Sequence, residues 1–121
     1  MTKEPKPRKK QKKTEPARTF SVYVVELDKK VLSIPKFVKA NPDHDPEKAC
    51  FYVGKTGLDP EGRFKNHKSG HKANRYVKKY GLWLRKKMFK KYNPMTREDA
   101  ERKEAELADQ LRQLGHAVWQ H

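Results

Sequence analysis

The chain has 121 residues, a length typical of one domain, and its 30 Lys and Arg residues outnumber 15 Asp and Glu, which gives a net charge of +15. The single cysteine, Cys50, excludes an internal disulfide and a cysteine-based zinc site, and no apolar run reaches the roughly 18 residues of a transmembrane helix. The charge favours a polyanionic partner, most often nucleic acid, although a solvated basic surface would also explain it. No long basic amphipathic helix indicates a membrane partner, and without a secretory signal a cytoplasmic location is expected.

Residues 1–18 form a basic segment with eight Lys or Arg and two Glu and no aliphatic periodicity. This composition predicts a disordered arm that either attracts phosphate or only keeps the chain soluble. The ordered domain is expected over residues 19–121. Two strands are predicted at Phe20–Leu27 and Ala49–Gly54, most simply as an antiparallel hairpin. The long insertion between them could hold a short helix around Phe37.

Capping and turn residues predict the elements that follow. Asp59 and Pro60 begin a helix that should run to about Lys68 and stop at Gly70. A shorter helix is predicted over 74–80, with an ambiguous strand over 82–84. A long helix should begin at Thr96 and end at Gly115, with an apolar stripe along one side, and residues 117–119 could add a short final strand.

Two tyrosines, Tyr23 and Tyr52, lie on the two strands of the predicted hairpin. Buried strands often contain tyrosine for packing alone, but matching positions on paired strands could place two phenols beside one site. Gly54 follows Tyr52 closely, and a glycine there would let the backbone approach a phosphate.

Arg63 and His67 are spaced i,i+4 on the helix after the second strand, so they share one helical face. A guanidinium can hold a phosphate and its developing charge, and an imidazole can carry a proton near neutral pH. The alternative is a solvated basic face.

Glu104 lies four residues after Ala100 and three before Leu107, so it falls on the apolar stripe of the last helix. A carboxylate in such a position is costly unless it is paired or binds a metal. Mg²⁺ takes oxygen ligands and often uses only one or two protein carboxylates. Pairing with a basic neighbour at the edge of the stripe is the alternative.

Residues 62–97 contain 13 Lys or Arg and no acidic residue, with aromatic residues between them. Most of the aromatic side chains are expected to pack in the core, and the basic ones are better candidates for nucleic-acid contact.

Taken in order, Val22-Tyr23, Tyr52-Val53-Gly54, Arg63, His67 and Glu104 followed by Leu107-Ala108 resemble the GIY-YIG nuclease domain. The resemblance covers about residues 20–119. It implies an α+β fold in which helices flank a three-stranded antiparallel sheet. Ser21-Val22-Tyr23 replaces the Gly-Ile-Tyr of the name, and His116 stands near a position where many members have asparagine.

The resemblance also implies an activity, the hydrolysis of phosphodiester bonds in DNA by a metal-dependent endonuclease. One tyrosine would lie near the attacking water, Arg63 would hold the phosphate, His67 would assist proton transfer or position a tyrosine, and Glu104 would bind one Mg²⁺ or Mn²⁺ ion. A monomer is assumed. A noncatalytic nucleic-acid-binding module on the same scaffold and a basic ribonucleoprotein component remain alternatives. The residues expected to contact nucleic acid are Gly54, Lys55, Lys65, Lys68, Lys72 and Arg75.

Overall fold

The structure, a computed structural model, describes residues 16–121 of the chain. The predicted basic arm lies outside the described residues except for residues 16–18, which are exposed and have no regular secondary structure. No helix of the described part is long and apolar enough to cross a membrane. The strands and α-helices are, in chain order, β1 (Ser21–Leu27), α1 (Pro35–Lys39), β2 (Cys50–Thr56), α2 (Pro60–Ser69), α3 (Arg75–Tyr80), β3 (Gly81–Leu84), α4 (Arg97–Gln113) and β4 (Ala117–Gln120). Short 3-10 helices occupy Lys29–Ser33, Lys86–Met88 and Lys90–Tyr92.

The strands form one sheet in the order β3-β1-β2-β4. The predicted hairpin is confirmed, since β1 pairs with β2 in antiparallel register, and β3 pairs with the other side of β1. The expectation of three antiparallel strands is wrong in one respect. Residues 117–120 add a fourth strand, β4, which runs parallel to β2. The long helix α4 makes this possible, because a parallel neighbour requires a crossover connection.

The predicted helix boundaries are confirmed by their caps. The Asp59 side chain accepts a hydrogen bond from the Gly62 amide at the start of α2, and Thr96 does the same for the Asp99 amide at the start of α4. Gly70 ends α2 with a φ of 92°, a left-handed conformation that suits glycine.

Helices cover both sides of the sheet centre. Consecutive β1 residues Val22, Tyr23, Val24 and Val25 are all buried, whereas a strand with one solvent-facing side would alternate. Helices α2 and α3 lie against β1 and β3, and α4 lies against β1, β2 and β4. The predicted α+β class is therefore confirmed. The antiparallel and parallel pairings together bring the start of β1 and the ends of β2 and β4 to the same end of the sheet.

Candidate active site

That end of the sheet holds the residues that the sequence singled out. Tyr23 lies near the start of β1, directly opposite Gly54 on β2, and Tyr52 lies two residues before Gly54 on the same face. The rings of Tyr23 and Tyr52 are 6.0 Å apart between centroids, and the Tyr52 ring lies 5.7 Å from the imidazole of His67. All three side chains are almost completely buried.

The rings of Tyr23 and Tyr52 leave no room for a side chain at position 54. A Cβ at this position would lie 2.7 Å from the Tyr23 hydroxyl oxygen and 2.9 Å from a ring carbon of Tyr52. Even alanine would therefore displace a tyrosine. This crowding is a sufficient reason for the glycine without any phosphate nearby.

His67 connects α2 to both β1 and the segment before α3. Its Nε2 lies 2.8 Å from the hydroxyl of Tyr23, and the backbone N–H of Asn74 donates to its Nδ1 at 3.0 Å. Because Nδ1 accepts a hydrogen bond, the proton of the neutral ring belongs on Nε2. His67 therefore donates to Tyr23, and the phenolic proton of Tyr23 is directed to another acceptor, of which the Tyr52 hydroxyl is one within reach.

Burial keeps these groups uncharged. It lowers the pKa of His67 to about 4, with a further contribution from the Arg63 guanidinium. Burial also raises the pKa of Tyr52 to about 12, and it holds the pKa of Tyr23 well above its ordinary value, where Tyr52 adds to the effect. At neutral pH the imidazole and both phenols are thus neutral.

Arg63 borders this cluster and is half-buried. Its guanidinium donates to the backbone carbonyl of Lys72 at 2.9 Å and more weakly to that of His71 at 3.5 Å. The guanidinium also opposes the raised pKa of both Tyr23 and Tyr52, so its charge acts on the phenols. Two of its five N–H donors are used by the carbonyls, which fixes the group, and the guanidinium is also close enough to hydrogen-bond to Tyr23.

Glu104 is buried on α4, as its position on the apolar stripe predicts, with only 4% of the residue exposed. Its Oε1 lies 3.9 Å from the Nζ of Lys55, and the same Nζ lies 3.8 Å from Glu101. Burial raises the pKa of Glu104 to about 7 in spite of the opposing Lys55 charge. The Glu104 carboxylate in turn raises the pKa of Tyr52, which places the two groups within electrostatic reach.

A divalent cation fits this carboxylate. The described residues contain no group of three or more His, Cys, Asp or Glu side chains that could hold a metal ion. Mg²⁺, however, usually keeps several waters and takes one or two protein carboxylates. Burial outweighs the opposing Lys55 charge in setting the pKa of Glu104. Glu104 therefore offers one buried carboxylate, which is donor chemistry that such an ion takes.

The residues expected to contact nucleic acid fall into two groups. Lys65, Lys72 and Arg75 have exposed side chains, whereas Lys55 is mostly buried beside the two glutamates. The ammonium of Lys68 donates to the backbone carbonyls of Lys78 and Gly81 at 3.1 and 2.9 Å. Lys68 thus caps the carboxyl end of α3, and this use was not visible in the sequence.

Two residues of the site were missed in the sequence. Asn74 contributes its backbone N–H to His67, and no side-chain pattern could reveal that contact. Gln120 lies near Glu104, where its amide and the His121 backbone N–H oppose the raised pKa of the carboxyl. His116 does not lie near Glu104, because it contacts the Ala49 carbonyl and the Phe51 ring at the opposite end of β2.

The comparison with protein families agrees with this geometry. The model of the GIY-YIG catalytic domain matches residues 43–116, more than half of the chain, and the match includes Tyr52, Arg63, His67 and Glu104. Tyr23 lies before the matched segment, and the structure brings it to the same site through the pairing of β1 with β2. Neither a curated protein nor a solved structure matches the chain at a significant level. The chain belongs to the GIY-YIG catalytic domain family.

Proposed function

We propose that the protein is a metal-dependent endonuclease that hydrolyses phosphodiester bonds in nucleic acid, with DNA as the expected substrate. Membership of a nuclease family supports the general activity. The observation that carries the specific proposal is the convergence at one end of the sheet of a buried carboxylate, a half-buried guanidinium and a histidine-bonded phenol. A purely structural core would not be expected to bring these three groups together.

Arg63 would bind the scissile phosphate. Its carbonyl contacts hold the guanidinium before substrate arrives, so little reorganisation is needed when negative charge develops on the phosphate oxygens. Lys55 lies between Glu101 and Glu104 and could add a second positive charge at the same edge. The Arg63 charge acts on both buried tyrosines, and Lys55 lies beside Glu104, whose charge acts on Tyr52.

Tyr23 would orient the attacking water, and His67 would support it as a hydrogen-bond donor. In the tautomer that its contacts assign, His67 has no lone pair to spare, because Nδ1 accepts from Asn74 and Nε2 carries the proton. It is therefore unsuited to act as general base. The Tyr23 hydroxyl can instead take a proton from water while its own proton moves to a phosphate oxygen. Such a relay requires no phenolate, which agrees with the raised pKa of Tyr23.

Glu104 would hold one divalent ion, Mg²⁺ or Mn²⁺. When bound, such an ion supplies positive charge that stabilises the transition state and the leaving oxygen. Gln120 and the His121 backbone N–H, which favour the ionised carboxyl, would keep Glu104 oriented for this purpose.

The basic surface would hold the substrate near the site. Residues 62–97 carry 13 Lys or Arg and no acidic residue, so phosphate contacts from this region should make affinity strongly salt-dependent. If the basic arm contributes, deletion of residues 1–18 should flatten the plot of affinity against salt. An unchanged slope would show that the arm does not contact nucleic acid.

Cleavage assays separate the proposed enzyme from its main alternative, a noncatalytic binding module. Plasmid and branched DNA are incubated with Mg²⁺ and the protein, beside the Glu104→Ala and Arg63→Ala variants. We expect the wild type to cut, and both variants to bind DNA without cutting it. Binding without cleavage by all three proteins would reject the enzyme for these substrates. The cytoplasmic location and the monomeric state stay untested predictions from the sequence.

A further inference from the structure

Two large apolar side chains are exposed next to each other on strand β3. Trp83 is 53% exposed and Leu82 is 40% exposed, although most large apolar side chains in the described residues are buried. Strand β3 is at the edge of the sheet, so its outer side has no partner strand. Leu82 and Trp83 together are called the β3 edge below.

The surroundings of the β3 edge are strongly basic. Residues 78–91 contain seven Lys or Arg and no Asp or Glu. The ammonium of Lys68 binds the carbonyl of Gly81, directly before Leu82, and Arg85 pairs with Glu26, the residue opposite Trp83. The Glu26 carboxylate is therefore already neutralised. Proteins that bind single-stranded nucleic acid use this combination. The bases stack on an exposed aromatic ring, and basic side chains attract the phosphate backbone.

A second copy of the chain is a poorer occupant of the same surface. Pairing two β3 strands edge to edge would bring two sets of seven basic residues together, and such like-charge contacts are destabilising. The register between β1 and β3 also shifts at Glu26 and Leu27, which leaves Leu82 without a partner on β1. Irregularities of this kind at a sheet edge oppose the addition of another strand.

We propose that the β3 edge stacks an unpaired nucleotide of the substrate, so that the protein prefers nucleic acid with a single-stranded segment beside the cleaved bond. The preference for unpaired bases follows because each base face within a continuous duplex is already covered by its neighbours. Trp83 lies opposite Glu26, three residues along β1 from Tyr23, so its side chain leaves the sheet on the face opposite to Tyr23, about 10 Å farther along the strand. The position of the stacked nucleotide beside the cleaved bond rests on the proposed nuclease function, whereas the stacking on Trp83 does not.

Binding without metal tests the stacking separately from catalysis. Affinities are measured in EDTA for a blunt duplex and for the same duplex with a single-stranded thymidine extension. For Trp83→Ala we expect a loss of about fivefold to a hundredfold on the extended duplex and little change on the blunt one. Trp83→Phe, which keeps a ring, should lose much less. Leu114→Ala removes an equally exposed apolar side chain at the end of α4 and should change neither affinity.

Intrinsic fluorescence provides a readout that does not depend on the folding of the alanine variant. Oligothymidine should quench the wild type more than Trp83→Phe, because Trp119 is present in both proteins and only Trp83 differs. Equal quenching, equal losses on both duplexes, or a dimer that dissociates in Trp83→Ala would each overturn the proposal. Quenching by a protein that cuts no DNA would support the β3 edge and reject only the nuclease function.

Discussion

Replacing Glu104 with glutamine should stabilise the metal-free protein at alkaline pH. The folded protein keeps this carboxyl buried, and burial raises its pKa from 4.5 to about 7. A group whose pKa is higher in the folded than in the unfolded state binds its proton more tightly when folded. Its stabilising contribution is therefore complete below about pH 4.5 and is lost as the pH rises through 7. Glutamine has a similar shape and no proton to lose.

The magnitude follows from the two pKa values. Each pKa unit corresponds to about 1.4 kcal/mol, so the ionised carboxylate at pH 8 costs the folded state up to about 3 kcal/mol. Lys55 loses one partner in Glu104→Gln but keeps Glu101 at 3.8 Å. We therefore expect a gain of about 1 to 3 kcal/mol at pH 8, which raises the melting temperature by ~5 °C or more. At pH 5 the gain should fall to about a quarter of this, because a carboxyl with a pKa of 4.5 in the unfolded chain is already mostly ionised there while the folded one is not.

Thermal unfolding in EDTA at pH 5 and pH 8 measures this difference. Glu101→Gln is the matched control, because Glu101 contacts the same lysine but is exposed, and it should not stabilise the protein. His67, with a pKa lowered to about 4, stays mostly neutral in the folded protein at both pH values, and its contribution is the same in all variants. Equal stability of Glu104→Gln and wild type at pH 8, or a loss there, would refute the view of Glu104 as a costly buried charge.

Three further substitutions probe the remaining contacts. His67→Gln keeps an N–H donor for Tyr23, so it should retain at least about tenfold more activity than His67→Ala. If both variants are equally inactive in single-turnover assays, an imidazole must carry the proton. Lys68→Met should lower the free energy of unfolding by about 0.5 to 1.5 kcal/mol because Lys68 caps α3, whereas Lys65→Met should change only DNA affinity; the reverse pattern would contradict these roles. Gly54→Ala should cost about 1 to 3 kcal/mol in chemical denaturation and move Tyr23, and an undisturbed, fully active variant would refute the crowding.

Most helices and strands could be predicted from the sequence, because the start and end of each one depend on residues close together in the chain. The caps at Asp59 and Thr96 and the glycine end at Gly70 are decided by residues within one turn, and the structure has them at the expected positions. The burial of Glu104 could be predicted for a similar reason, since a helix of regular period turns residues 100, 104 and 107 towards the same side.

Contacts between distant segments could not be predicted in the same way. β4 pairs with β2 across more than 60 residues, and its four residues are too few for a reliable pattern. Lys68 looked free in the sequence because the carbonyls that it caps belong to the backbone of another helix. The tautomer of His67 likewise depends on the backbone amide of Asn74, and the position of a backbone amide cannot be predicted from residue types.

The most direct test of the proposed nuclease is single-turnover DNA cleavage with Mg²⁺, comparing wild type with Glu104→Gln and Glu101→Gln. Both variants lose one carboxylate beside Lys55, but only Glu104 is buried at the site. We expect the rate of Glu104→Gln to fall by about a thousandfold or more, because several kcal/mol of transition-state stabilisation would be lost. Glu101→Gln should cut at nearly the wild-type rate. Equal rates for the two variants would contradict the assignment of Glu104 as the metal ligand.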